Sequence, residues 1–142
     1  MSEPDNEFFA RWMMLWKNID GVFNAELHRA GISYSEYLLL ESLQGAPQGM
    51  EPSALADARG MSRQHVNLLL RQLENAELIT RTGATVDKRR RIIALSPLGA
   101  EKLSSVKNNW LQMDSAGWAG FAPYERGRIL SLLEHYLDNL KS

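Results

Sequence analysis

The stretch "PSALADARGMSRQHVNLLL", residues 52–70, decides the fold, because it has the grammar of two short helices meeting at a tight turn. Pro52 suits the first turn of a helix, where its missing N–H costs no hydrogen bond, and Gly60 can take the left-handed backbone that ends one. Ser62 is an N-cap for the run "RQHVNLLLRQLENA", whose apolar positions Val66, Leu69, Leu70 and Leu73 recur at helical spacing. Small Ala56 lets the second helix cross close to the first, and Leu55, Met61, Val66 and Leu69 are the side chains expected to bury the crossing. Together these positions predict a helix-turn-helix.

Downstream, "LITRT" and "RIIALS" are short β-branched runs on either side of "GATVDKR", the pattern of a hairpin. A helix-turn-helix followed by a charged hairpin predicts a winged helix-turn-helix. Upstream, Phe9, Trp12, Met13, Trp16, Ile19, Val22, Phe23 and Leu27 recur at three- and four-residue steps, predicting a helix over residues 6–29 that Gly31 ends. Ser33 and Glu36 form a capping box that opens a helix over residues 34–43, and "QGAPQGM" reads as a loop. Beyond the hairpin, Ser96 and Pro97 open a long helix to about Met113. A Gly-containing break with Trp118 and Phe121 leads to a last amphipathic helix over residues 123–140, with Ile129, Leu133, Tyr136, Leu137 and Leu140 on one face.

The length of 142 residues, with 44% hydrophobic and 23% charged residues, is that of one soluble globular domain with a real core. No apolar run approaches the roughly 20 residues of a membrane span, and Glu3, Asp5 and Glu7 stand where a signal peptide carries positive charge. The expectation is a cytoplasmic protein with no membrane partner. Absence of cysteine excludes disulfides, thiolate catalysis, thiol redox sensing and Cys-ligated zinc. His28, His65 and His135 are too scattered for a metal site, and no segment gathers acids, His or Ser around a Gly-rich loop, so neither an enzyme, a cofactor nor a metal is expected.

The formal net charge of -1 conceals an asymmetry. Residues 62–91 hold seven Lys/Arg against three acids, a local +4, while the other 112 residues sum to -5. A basic segment on an acidic body is the footprint of a surface that docks a polyanion. Within it, Ser62, Arg63, Gln64, His65, Asn67 and Arg71 are the exposed positions of the second helix of the motif. Asn and Gln can read adenine, Arg can read guanine, and N–H groups at a helix start can hold a phosphate. His65 reads equally as a contact or as a merely exposed residue, and Leu68 as a thymine-methyl contact or a packing residue.

The chain resembles the MarR (multiple-antibiotic-resistance regulator) family of bacterial winged-helix transcription factors. The resemblance runs from the first helix through "GISYSEYLLLESL", the helix-turn-helix, "LENAELITR", the wing motif Asp87, Lys88, Arg89, and "LSPLGAEKL". Two positions depart from the family pattern: Glu77 replaces its usual glycine, and Arg59 stands where an apolar residue is usual. The resemblance implies one domain over residues 1–142, mainly α with a small β-hairpin wing. Residues 33–95 would form the winged helix-turn-helix DNA-binding lobe, and residues 6–31 and 97–142 the dimerisation helices. It implies a dimeric repressor on a pseudo-palindromic double-stranded DNA operator.

In that scheme Arg89 enters the minor groove, steadied by Asp87, while Lys88, Arg90 and Arg91 contact the backbone. Strand alternation leaves one of Arg90 and Arg91 facing away. The family also implies a small aromatic effector, for which Trp16, Phe23, His28 and Tyr37 are the candidate lining; the same four could instead fill the core. All four tryptophans, Trp12, Trp16, Trp110 and Trp118, lie in the terminal segments, at least two as expected core and the remainder as candidates for a subunit interface. The rival functions are a winged-helix protein-interaction module and a ligand-insensitive DNA-binding protein.

Overall fold

The structure is a computed structural model that describes residues 2–83 and 91–142. In chain order the described elements are α1 (Glu3–Ala30), α2 (Tyr34–Gln44), α3 (Pro52–Arg59), α4 (Arg63–Asn75), β1 (Ile79–Gly83), β2 (Arg91–Leu95), α5 (Pro97–Gly117) and α6 (Pro123–Lys141). Each predicted element is present. The first helix begins three residues earlier than its apolar periodicity suggests, because Ser2 and Asp5 close a reciprocal capping box ahead of it. The fifth runs past Met113 to Gly117.

The helix-turn-helix forms as its residues require. Gly60 adopts φ 63° and caps α3, and Met61 N–H donates to the Ala56 carbonyl at 3.0 Å. Ser62 Oγ accepts from His65 N–H at 3.1 Å to start α4. Leu55, Val66, Leu70 and Leu73 of this pair are fully buried, and Leu39, Leu40 and Leu43 of α2 complete the packing beneath them. Burying each such side chain contributes about 1.5–3 kcal/mol. Met61, expected in the same crossing, is only half-buried.

The wing is a two-stranded antiparallel sheet in which Ile79 faces Leu95, Arg81 faces Ile93 and Gly83 faces Arg91. The segment read as a plain loop ends in a third, one-residue rung: Met50 and Ile93 exchange backbone hydrogen bonds of 2.8 and 2.7 Å. Gly49, at φ 89°, permits that approach, since a Cβ there would overlap Ile92 and the Ile93 carbonyl.

At the end of α4 Glu77 sits at φ 63°, the one non-glycine with positive φ among the described residues. Its N–H donates to the Glu74 carbonyl at 2.9 Å, and Leu78 N–H donates to the Leu73 carbonyl at 2.9 Å. This is a Schellman closure whose left-handed position usually falls to glycine. Ser96 Oγ donates to the Glu77 carbonyl at 2.6 Å and accepts from Gly99 N–H at 2.9 Å, so one hydroxyl joins this turn to the start of α5. Gly99 is required there, because a Cβ would overlap the Leu78 carbonyl.

Packing divides the chain into two compact units, Met1–Asn108 and Asn109–Ser142, with the boundary inside α5. In the second unit Trp118 stacks edge-on against Phe121, lies under the Arg126 guanidinium at 5.5 Å, and donates from its indole to Asp114 at 3.0 Å. None of α6 is buried. The expectation that two or more tryptophans belong to the chain's own core is not met. Trp16 is 45% exposed, and Trp12, Trp110 and Trp118 are half-buried. The physical reason is that α1 carries apolar side chains further round its circumference than one flank of a small core can cover. No described helix is long and apolar enough to cross a membrane.

Candidate nucleic-acid interface

Helix α4 is built so that one stripe anchors it and the other is free. Val66, Leu69, Leu70 and Leu73 are buried, whereas Arg63, Gln64, His65, Asn67 and Arg71 are all exposed. Arg63, Asn67 and Arg71 follow at four-residue steps and therefore share a face. Ser62, also exposed, uses its hydroxyl as the cap, which leaves its backbone end of the helix open to an anion. Leu68 is 47% exposed, so the packing alternative for that residue fails within this chain.

Arg91 is exposed at the last described rung of the wing, opposite Gly83. Asp87, Lys88, Arg89 and Arg90 lie outside the described residues. At the root of the wing, Arg81 shares the face of buried Ile79 and donates from Nε to Glu74 of α4. This ion pair escaped the sequence reading, because it joins a helix to a strand and no periodicity relates the two positions.

Beneath the interface a polar hub ties three helices. Glu41 of α2 accepts from Tyr37 Oη at 3.0 Å and from Arg59 Nη2 of α3 at 3.2 Å, with Lys107 Nζ of α5 3.6 Å away. Arg59 Nε also donates to Ser42 Oγ at 2.7 Å. The charged residue at position 59 is thus held by specific partners rather than by apolar packing. Burial pushes the Glu41 carboxyl up, but the hydrogen bonds from Tyr37 and Arg59 and the charges of Lys107 and Arg59 outweigh it, and the net shift is downward. Burial, reinforced by the Glu41 hydrogen bond and charge, pushes the Tyr37 phenol up.

The four candidate effector residues occupy different environments. Tyr37 is buried in the hub, Phe23 is half-buried, and Trp16 and His28 are exposed on α1. Filling the core therefore accounts for Tyr37 and not for Trp16 or His28. A cleft of about 430 Å³ opens where the ends of α1, α2, α4 and α5 meet, bordered by Ile32, Glu36, Gln72, Leu78 and Lys102, and none of the four residues lines it. Lys102 reaches from there to the Ala30 carbonyl at 2.6 Å, closing the C-terminus of α1. No group of three or more potential metal ligands occurs among the described residues.

Known proteins share this frame. The "Putative transcriptional regulatory protein for hcr operon" of Thauera aromatica is 29% identical over 104 residues. Those residues are 73% of this chain and 62% of that protein, so the chain spans less than two thirds of its relative. The YusO protein from Bacillus subtilis superposes with a TM-score of 0.82 at 18% identity, over 97% of this chain and 99% of that one. MepR of S. aureus in its DNA complex superposes with a TM-score of 0.76 at 22% identity, over 91% and 96% of the two chains. At these identities the superpositions establish the winged-helix fold, mainly helical with a two-stranded hairpin. Residues 30–90, from the end of α1 to the residue before β2, match the MarR family model, and over that segment the chain is similar to the MarR family.

Proposed function

We propose that the chain is a sequence-specific DNA-binding transcriptional regulator rather than an enzyme, acting as a homodimer. Residues 33–95 are its DNA-binding lobe, and residues 6–31 and 97–142 its subunit-joining segments. The observation that carries this reading is the exposed row Arg63, Gln64, Asn67 and Arg71 on a helix whose opposite stripe is anchored, beside a two-stranded wing. Such a helix fits a major groove, with Asn67 and Gln64 reading bases and the cations positioning the protein on phosphates. Likeness to MepR, solved with DNA, and to a relative named as a transcriptional regulatory protein supports it.

The dimer reading rests on apolar surface. Phe8, Met14, Val22 and Leu15 of α1 are each more than half exposed, as are Leu130, Leu132 and Leu140 of α6, and a second copy would cover them. Two recognition helices related by a two-fold axis then require a pseudo-palindromic operator. Regulation in this scheme is repression, relieved by a small aromatic ligand that stacks on Trp16 and Phe23, with His28 orienting its polar groups, while the buried Tyr37 serves the Glu41 hub instead. Such a ligand must bind more weakly when operator is bound, by the factor by which it weakens the operator.

Gel-shift titration against genomic fragments, with excess random-sequence competitor, tests the reading. Retention of particular fragments is the expected result. If no fragment survives competition, the winged helix serves another partner. Tryptophan quenching by aromatic carboxylates, repeated with and without a retained fragment, tests the ligand: equal affinity in both titrations would show a site without a switch.

A further inference from the structure

We infer that the cleft between the second half of α4 and the root of the wing is a phosphodiester site, in which Arg71 and Arg81 hold a DNA backbone phosphate and Glu74 competes with that phosphate for Arg81. The inference rests on the DNA-binding reading above. The cleft, about 500 Å³ and open to solvent, is lined by Asn67, Arg71, Glu74, Asn75 and Arg81. Every one of these except Glu74 brings hydrogen-bond donors, two as guanidinium and two as carboxamide. Arg81 gives its Nε–H to Glu74, while Arg71 has no carboxylate partner among the described residues.

Position identifies the occupant. A helix in the major groove and a hairpin in the neighbouring minor groove straddle the one sugar-phosphate strand that separates the two grooves. The junction of α4 with β1 must face that strand. Asn67, Arg71 and Asn75 follow at four-residue steps down α4 and lead from the base-reading end of the helix into the cleft. Arg81 closes it from the strand side, on the face it shares with Ile79. Guanidinium forks match the oxygens of a phosphodiester, and charge-assisted bonds of this kind are among the strong ones.

Glu74 is the residue out of place in such a site. In the free protein it neutralises Arg81; with DNA in the cleft its carboxylate and the phosphate are like charges bidding for one guanidinium. Glu74 therefore acts as a brake on affinity, and a sequence-independent one, because phosphates carry no base information. If the pair served only to brace the wing, removing Glu74 would loosen the wing and weaken binding. The two roles predict opposite signs.

The test is fluorescence anisotropy of the full chain with a labelled random-sequence duplex over a salt series. Glu74→Gln is expected to bind about three- to ten-fold tighter near 0.1 M salt, with a salt slope steeper by about one ion. Arg81→Gln, and independently Arg71→Gln, which breaks no described ion pair, are expected to bind several-fold weaker with a slope shallower by about one ion. Thermal unfolding by circular dichroism confirms that each variant is folded. Unchanged or weaker binding by folded Glu74→Gln overturns the inference while the DNA-binding reading stands. A wild-type chain that binds neither this duplex nor any genomic fragment overturns both.

Discussion

Helices α4 and α6 are both amphipathic, yet one is anchored and the other is not. The 13-residue α4 buries Val66, Leu69, Leu70 and Leu73, whereas the 19-residue α6 buries nothing and leaves Leu130, Leu132, Leu137 and Leu140 exposed. The same periodicity thus serves two ends. In α4 the apolar stripe meets α2 and α3 and fixes the angle at which the opposite, polar face is presented. In α6 Ile129 and Leu133 are only half-buried and the other leucines are exposed, and the account assigns their cover to a second copy.

The contrast is broken or sharpened most strongly by paired truncations. Leu70→Ala, at a fully buried site, should cost about 2–5 kcal/mol in urea unfolding at any protein concentration. Leu137→Ala, at a site 47% exposed, should change the unfolding of dilute protein little and instead weaken self-association. Sedimentation over a range of concentrations separates the two effects. Equal, concentration-independent losses would mean that α6 is covered within the chain after all.

A smaller effect is expected where α4 hands over to the wing. Glu77 occupies a left-handed backbone position that costs a side-chain-bearing residue roughly 1–2 kcal/mol, part of which a glycine returns as extra freedom of the unfolded chain. Glu77→Gly should therefore stabilise the protein by about 0.5–1 kcal/mol, read as a higher urea midpoint at unchanged slope. A loss of stability would show that the Glu77 side chain contributes more than its backbone costs.

The smallest effect concerns the hub beneath α3. Because the folded-state carboxyl of Glu41 titrates below its unfolded value, its stabilisation is present above the unfolded pKa and is lost as pH falls through the folded one. Its side chain is more than a third exposed, so solvent screening keeps the effect modest. Glu41→Gln should flatten the acid side of the stability-versus-pH curve and leave the neutral region lower. An unchanged acid slope would mean that other carboxylates carry it.

Local patterns made the element order legible. Ser33 with Glu36, Ser62, Gly31, Gly60 and Pro97 each act through bonds or dihedrals spanning a few residues, and each stands where its chemistry predicts. The exposed row of α4 was readable for the same reason. What escaped joins residues of different elements, which no single periodicity relates: Met50 with Ile93, Arg81 with Glu74, and Arg59 with Glu41 and Ser42. The tryptophans show the complementary limit, since an apolar stripe in sequence says that a side chain leaves water and not which chain receives it.

The central claim is that two copies of α4 read two half-sites of one operator. A hydroxyl-radical footprint on a genomic fragment retained in the gel-shift titration tests it most directly. The account predicts two protected patches related by two-fold symmetry, with centres about one helical turn, roughly 34–36 Å, apart on one face of the duplex. A single asymmetric patch on such a fragment, or uniform protection without a boundary, would contradict it.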